Sequence, residues 1–359
     1  MKRNLNSERS GGDTSDSLVF SKLTYDDIPE ISKLLVMVWP LLYGAVGHPH
    51  FNVDYLRWIY GGPNKNKHMM IGARINNTLI AYQSFLFRSI YYDSKALNAY
   101  LWTHATVSPE LSGSARVHCA IQMMKQAVQL FDRNASFFIE DCDLIYAFNE
   151  IDKHTREVVD KVFKKHYAID RKINSTFNQF IVMPNKLKKY LNETGSNQNS
   201  FNVRAVTEQD SQKLADLFSI IPQGSQFVMQ MTGDELKHYF FSSADHQTHA
   251  IAENGEFKAL IHFFPVQIIK ESKTHLDVIV EFLVSDPVNK KHAAHLLSKA
   301  VDFAEKINAK AVVLENANYL DYNVFQPMGL LPTLRKMTMS AISRQGAFDY
   351  EGSFRCDVK

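Results

Sequence analysis

AYLWTHATVSPELSGSARVHCAI, residues 99–121, reads from left to right as strand, loop and helix. Tyr100, Trp102, Thr103, Thr106 and Val107 are aromatic or β-branched, the side chains that suit a pleated surface. The strand turns at Val107-Ser108-Pro109, and Ser112-Gly113-Ser114-Ala115 is a run of small residues. From Arg116 the chain becomes helix-like, with Ile121, Met123, Met124 and Val128 apolar. Such a strand, small-residue loop and helix form a cradle for a diphosphate. Small side chains let it approach the backbone, and free N–H groups at the helix N-terminus point at it.

Outward from this stretch, the chain of 359 residues exceeds what one core comfortably serves, which predicts two domains. Hydrophobic residues make up 45% and the net charge is +2, as in an ordinary globular protein with no basic excess for DNA or an anionic membrane. The three cysteines, Cys119, Cys142 and Cys356, have neither metal-site spacing nor the even count of a disulfide framework, so a reducing, cytoplasmic setting is expected. No classical signal peptide is visible. No apolar run reaches the length of a membrane span.

Residues 1–17 are polar and Gly/Ser-rich and read as a disordered tail. Thr24 offers a helix cap, and Ile28, Ile31, Leu34, Leu35 and Val38 recur at helical spacing up to Trp39-Pro40, where the helix is expected to end. VDYLRWIY at 53–60 reads as a short helix closed by Gly61-Gly62-Pro63. Strands flank a turn at Asn76-Asn77, and a hairpin turn at Asp93-Ser94-Lys95 leads into the central strand. Ser136–Ile139, Asp143–Phe148 and Asn178–Met183 read as strands and Asp152–Lys165 as a charged helix. Residues 186–200, KLKKYLNETGSNQNS, break the composition and read as a linker.

The order then begins again. Thr207 repeats the cap at Thr24, Asn254-Gly255 repeats the turn at Asn76-Asn77, and Val284 repeats Val107. The landmarks lie about 180 residues apart, the length of a duplicated domain and not of a solenoid repeat. The expected organisation is a tail at 1–17, an N-terminal domain at 18–185, a linker at 186–200, a C-terminal domain at 201–345 and a tail at 346–359. Each domain is α/β (α+β), a mixed, mostly antiparallel twisted sheet flanked by helices.

Val107-x-Pro109, Gly113 and Ala115 resemble motif A of the GNAT family, the Gcn5-related N-acetyltransferases. Glu110 stands where the family has Arg or Gln, and Ser112 where Arg is frequent. The order of elements in each half resembles the same fold, and tandem GNAT proteins are known. The resemblance implies an acyltransferase that uses acetyl-CoA or another acyl-CoA as co-substrate, without a metal. Its acceptor would be a small-molecule or peptide amine. It further implies that Thr106, Val107, Gly113, Ser114, Ala115 and Arg116 hold the coenzyme, with Val284, Lys290 and Ala293 in the matching places of the second half.

The family reaction needs a base for the amine, donors for an oxyanion and an acid for the leaving thiolate. By resemblance the base is sought on the central strand. His104 stands three residues before Val107, and Glu281 three before Val284. A histidine there suits proton transfer near neutral pH. Against this stand a core histidine and a glutamate on a solvated strand face. Tyr146 is the candidate acid in the first half, with packing as its other reading; Val162 and, in the second half, Phe325 occupy the family's Tyr position. Tyr319 and Tyr322 lie near the latter but off the usual spacing. The first half is expected to bind the acyl-CoA and the second to shape the cleft. Trp39, Tyr43, Trp58 and Tyr60 read as core or as a pocket wall, and His48 and His50 as weak metal candidates. Two other functions are compatible with paired GNAT-like domains: an aminoacyl-tRNA-dependent transferase and a non-catalytic binding module. No sequence feature speaks to oligomeric state.

Overall fold

The computed structural model describes residues 18–45, 47–92, 95–111, 113–131, 141–150, 160–161, 164–165, 175–195, 201–219, 225–284, 289–315, 325–343, 346–347 and 353–355. The tail at 1–17, the strand at 136–139, Ser112, Val162, Tyr319, Tyr322, Cys356 and most of the helix at 152–165 fall outside the described residues.

The first half begins with β1 (Val19–Leu23) and α1 (Ile28–Tyr43), followed by β2 (His48–Pro49) and α2 (Val53–Tyr60). Next come β3 (Met69–Ile75), β4 (Thr78–Tyr92), β5 (Lys95–Val107), α3 (Gly113–Gln129), β6 (Leu144–Glu150), β7 (Ser175–Val182) and α4 (Pro184–Glu193). The second half repeats the plan. It has β8 (Val203–Ala205), α5 (Ser211–Ser219), β9 (Ser225–Gln230), α6 (Gly233–Phe241), β10 (Gln247–Glu253), β11 (Glu256–Lys270) and β12 (Lys273–Val284). It ends with α7 (Lys290–Lys306), β13 (Ala311–Leu314), β14 (Leu330–Ser343), β15 (Gly346–Ala347) and β16 (Ser353–Arg355).

Local chemistry accounts for the repeated boundaries. Thr24 and Thr207 each cap a 3₁₀ turn, with their backbone N–H groups donating to Asp27 and Asp210 at 2.7 and 3.0 Å. Asn76-Asn77 and Asn254-Gly255 both hold positive φ at their two central positions, as a two-residue hairpin turn matched to strand twist requires. Two expectations are corrected. Helix α1 runs through Pro40 to Tyr43, because proline's fixed φ is helical and only one backbone bond is lost. The segment at 186–200 is not linker throughout: α4 fills its first half, with Leu187 and Leu191 buried against the second core.

The described strands join in one 16-stranded sheet, with the path β1-β3-β4-β5-β6-β14-β7-β13-β12-β11-β10-β8. The halves exchange their last strands. β14 pairs antiparallel with β6, and β7 pairs antiparallel with β13. They also exchange loops. β2 pairs with the far end of β11, and β9 pairs with the far end of β4. One hydrophobic core therefore takes Leu101 and Tyr146 from the first half together with Phe227, Phe282 and Met339 from the second.

Candidate active site

β5 and β6 run parallel and pair only where Ala99–Leu101 meet Leu144–Tyr146. Beyond Leu101 the ladder between them stops. β5 stays with β4 as far as Val107, and β6 stays with β14 as far as Glu150. The strands thus form a wedge whose floor is Leu101 and Tyr146. Along Trp102–Val107 one backbone edge has no ladder partner among the described strands.

The cradle lies at the mouth of the wedge. Ser108 N–H ties to Ile80 O at 2.7 Å and Leu111 N–H to Ser108 O at 3.3 Å. Gly113 opens α3 with φ +51, a conformation that favours glycine, and a Cβ built there meets nothing within 4 Å. Gly113, Ser114 and Ala115 are exposed, and Arg116 Nη2 donates to Val107 O at 3.4 Å. Thr106 is buried behind them, accepting from Trp39 Nε1 at 2.9 Å and donating to His104 O at 2.9 Å.

The matching region of the second half is built differently. Asn289 caps α7 by accepting from His292 N–H. Phe201 packs edge-on against His292 and His295. Ala293 is fully buried in the second core, Lys290 is exposed, and Val284 is buried opposite Leu260. Phe325 is buried in the same core as Ala293.

His104 and Glu281 occupy equivalent irregularities. The β4–β5 register shifts between Tyr82 and Ser84, opposite His104. The β11–β12 register shifts between His262 and Phe263, leaving Glu281 as the extra residue. A bulge re-aims a side chain that a regular strand would place elsewhere. His104 has φ +56 and is 5% exposed, and Glu281 is 0% exposed, so the glutamate does not lie on a solvated face.

A hydrogen-bond chain orients His104. Tyr60 Oη donates to Ser84 Oγ at 2.9 Å, and Ser84 Oγ donates to Thr103 O at 3.1 Å. Tyr60 Oη also lies 2.6 Å from His104 Nδ1. With its one proton used on Ser84, the phenol oxygen accepts there. This assigns the hydrogen to Nδ1 and leaves the Nε2 lone pair as the ring's acceptor. Burial lowers the His104 pKa to about 3 and raises that of Tyr60 above the usual phenol range. The expectation of titration near neutral pH is thereby corrected: the imidazole is neutral there, since a cation would lose its hydration in an enclosure of Trp39, Phe51 and Tyr60 rings.

Tyr146 is fully buried against Phe148 and Phe227. It lies in the same core as Tyr60. Trp39 and Tyr43 pack together near His104, whereas Trp58 packs on Tyr239, His246 and Phe264 of the second half. His48 and His50 turn to Pro49 O and Gln267 Oε1. Ser84 as a partner of His104 had no sequence signal, and Tyr60 had only its place in an aromatic group.

No family model matches the sequence, and no curated protein matches it. Solved structures do match. An N-myristoyltransferase from Saccharomyces cerevisiae with bound myristoyl-CoA aligns over 94% of this chain and 84% of its own, with TM-score 0.66 and 12% identity. A second structure of that yeast protein, with myristoyl-CoA and inhibitors, aligns over 90% and 80%, with TM-score 0.67 and 12% identity. A GCN5-related N-acetyltransferase from Kribbella flavida aligns over 91% and 71%, with TM-score 0.54 and 9% identity. At such identities the likeness is one of fold, and the fold of this chain is the tandem GNAT fold.

Proposed function

We propose that this protein is an acyl-CoA-dependent N-acyltransferase that moves an acetyl group from acetyl-CoA to a primary amine by direct attack in a ternary complex. The observation that carries the reading is the wedge beyond Leu101 and Tyr146, which opens a backbone edge of β5 next to the exposed Gly113–Ala115 turn. The pantetheine arm, an amide chain, pairs with that edge. The diphosphate meets Gly113, Ser114, Ala115 and Arg116, and Thr106 and Val107 shape the strand end.

The reaction joins the amine nitrogen to the thioester carbonyl carbon and expels the coenzyme thiolate. As the bond forms the nitrogen turns acidic, so a weak base can take its proton. His104 Nε2 is placed in that role, with Tyr60 and Ser84 holding the ring. Tyr146, at the floor, gives a proton to the thiolate. The second half, including Glu281, shapes the acceptor side of the cleft. The acceptor is a small molecule or a peptide, and the domain limits stand as 18–185 and 201–345.

Calorimetric titration with acetyl-CoA, and with an acyl series up to myristoyl-CoA, tests this. Gly113→Val should abolish coenzyme binding while the protein stays folded, because the new side chain enters open space. Lys290→Gln should bind as the wild type does. Absence of binding by every acyl-CoA would overturn the reading, and loss at Lys290 alone would move the site to the second half.

A further inference from the structure

A cavity of about 50 Å³ lies where the two halves meet. Its walls include Trp58, His68 and Arg88 from the first half and Met229, Glu235 and His238 from the second. It is distinct from the wedge: Arg88 is four residues beyond Ser84 on β4, roughly 13 Å at ~3.3 Å per residue.

His68 is 6% exposed, and its Nδ1 accepts the Phe87 N–H at 3.1 Å. That bond forces the ring hydrogen onto Nε2. A neutral imidazole therefore offers an N–H that no described residue accepts. Burial lowers the pKa of His68, and the nearby charges of Arg88 and His238 lower it further, so the neutral form persists. Arg88 Nη1 donates to Phe87 O at 2.8 Å, which fixes the guanidinium beside the same peptide that holds His68.

The opposite wall is equally determined. His238 Nε2 donates to Trp58 O at 3.0 Å. Its ring lies flat on Gly62, where φ is +78 and a Cβ would come within 2.5 Å of the ring. Glu235 also faces the cavity. Its carboxylate is engaged by Asn64 Nδ2 and by Thr232 N–H at 2.6 Å.

We propose that this cavity binds a small monovalent carboxylate, held between the Nε2–H of His68 and the guanidinium of Arg88. The proposal is independent of acyl transfer. A guanidinium fork matches the two oxygens of a carboxylate, and a charged acceptor strengthens the imidazole bond. The Glu235 charge opposes a second negative charge on the ligand, which disfavours a phosphate dianion. Trp58 and Met229 receive a short hydrocarbon tail.

The test is a titration with sodium acetate at constant ionic strength, following the His68 imidazole and Trp58 indole signals by NMR. Saturable shifts are expected at both residues. Arg88→Gln and His68→Phe should each weaken binding about ten-fold or more, the range for losing a charge-assisted bond. His68→Phe removes the acceptor of Phe87 N–H, so His68→Gln, which keeps an acceptor and a donor, serves as its folded counterpart and should bind with intermediate strength. Lys237→Gln, on the exposed face of α6, should bind as wild type. Absence of saturation overturns the proposal. So does acetate binding that Arg88→Gln leaves unchanged, or tighter binding of inorganic phosphate than of acetate.

Discussion

His104 concentrates the chemistry of the site in one ring. Its folded pKa of about 3 lies below the ~6.5 of an unfolded chain. Between those values the unfolded state binds the extra proton, so stability falls as pH drops below about 6.5, by on the order of 1.4 kcal/mol per pH unit for one such group. His68 is shifted in the same direction and adds to the slope. Urea midpoints should therefore fall between pH 7 and pH 5, and His104→Gln should flatten that fall. An unchanged slope in the variant would show that His104 is not held neutral by burial. The histidine's position before Val107 was legible in the sequence. Its tautomer was not, because Tyr60 and Ser84 lie 44 and 20 residues away.

Short elements are set by local pairs that the sequence displays. Thr207 and Asp210 form a capping box, and Arg204 grips both Asp210 oxygens at 2.8 and 2.6 Å. The guanidinium, with the Thr207 bonds, holds the Asp210 carboxyl below its usual range. Asp210→Asn keeps the cap shape but removes the charge. It should cost about 1–2 kcal/mol, seen as a lower thermal midpoint at pH 7 and a smaller difference near pH 2. A midpoint equal to wild type would mean that Arg204 is satisfied elsewhere. The same Thr-x-x-Asp spacing at Thr24 made both boundaries readable. The bulges at His104 and Glu281 were not readable, since an extra residue on one strand is defined only against its partner.

Across the molecule, the exchange of β7 and β14 and of the loops at β2 and β9 links the halves through backbone ladders. Unfolding should therefore occur in one transition, with circular dichroism and Trp fluorescence coinciding. A fragment of residues 18–195 lacks β14, exposes the edge of β6 and should aggregate. A soluble monomeric fragment with native hairpins would show that each half folds alone.

Periodicity, caps and turn residues act within a few positions of one another, so the sequence by itself determined the helices, the hairpins, the duplicated order and the cradle at Gly113. Which strand lies beside which is decided by closing loops of a hundred residues or more around a shared core, and no local pattern encodes it. Only the tertiary structure therefore decided that β14 enters the first half's sheet, that β5 and β6 part beyond Leu101, and that His68, Arg88 and His238 line one cavity.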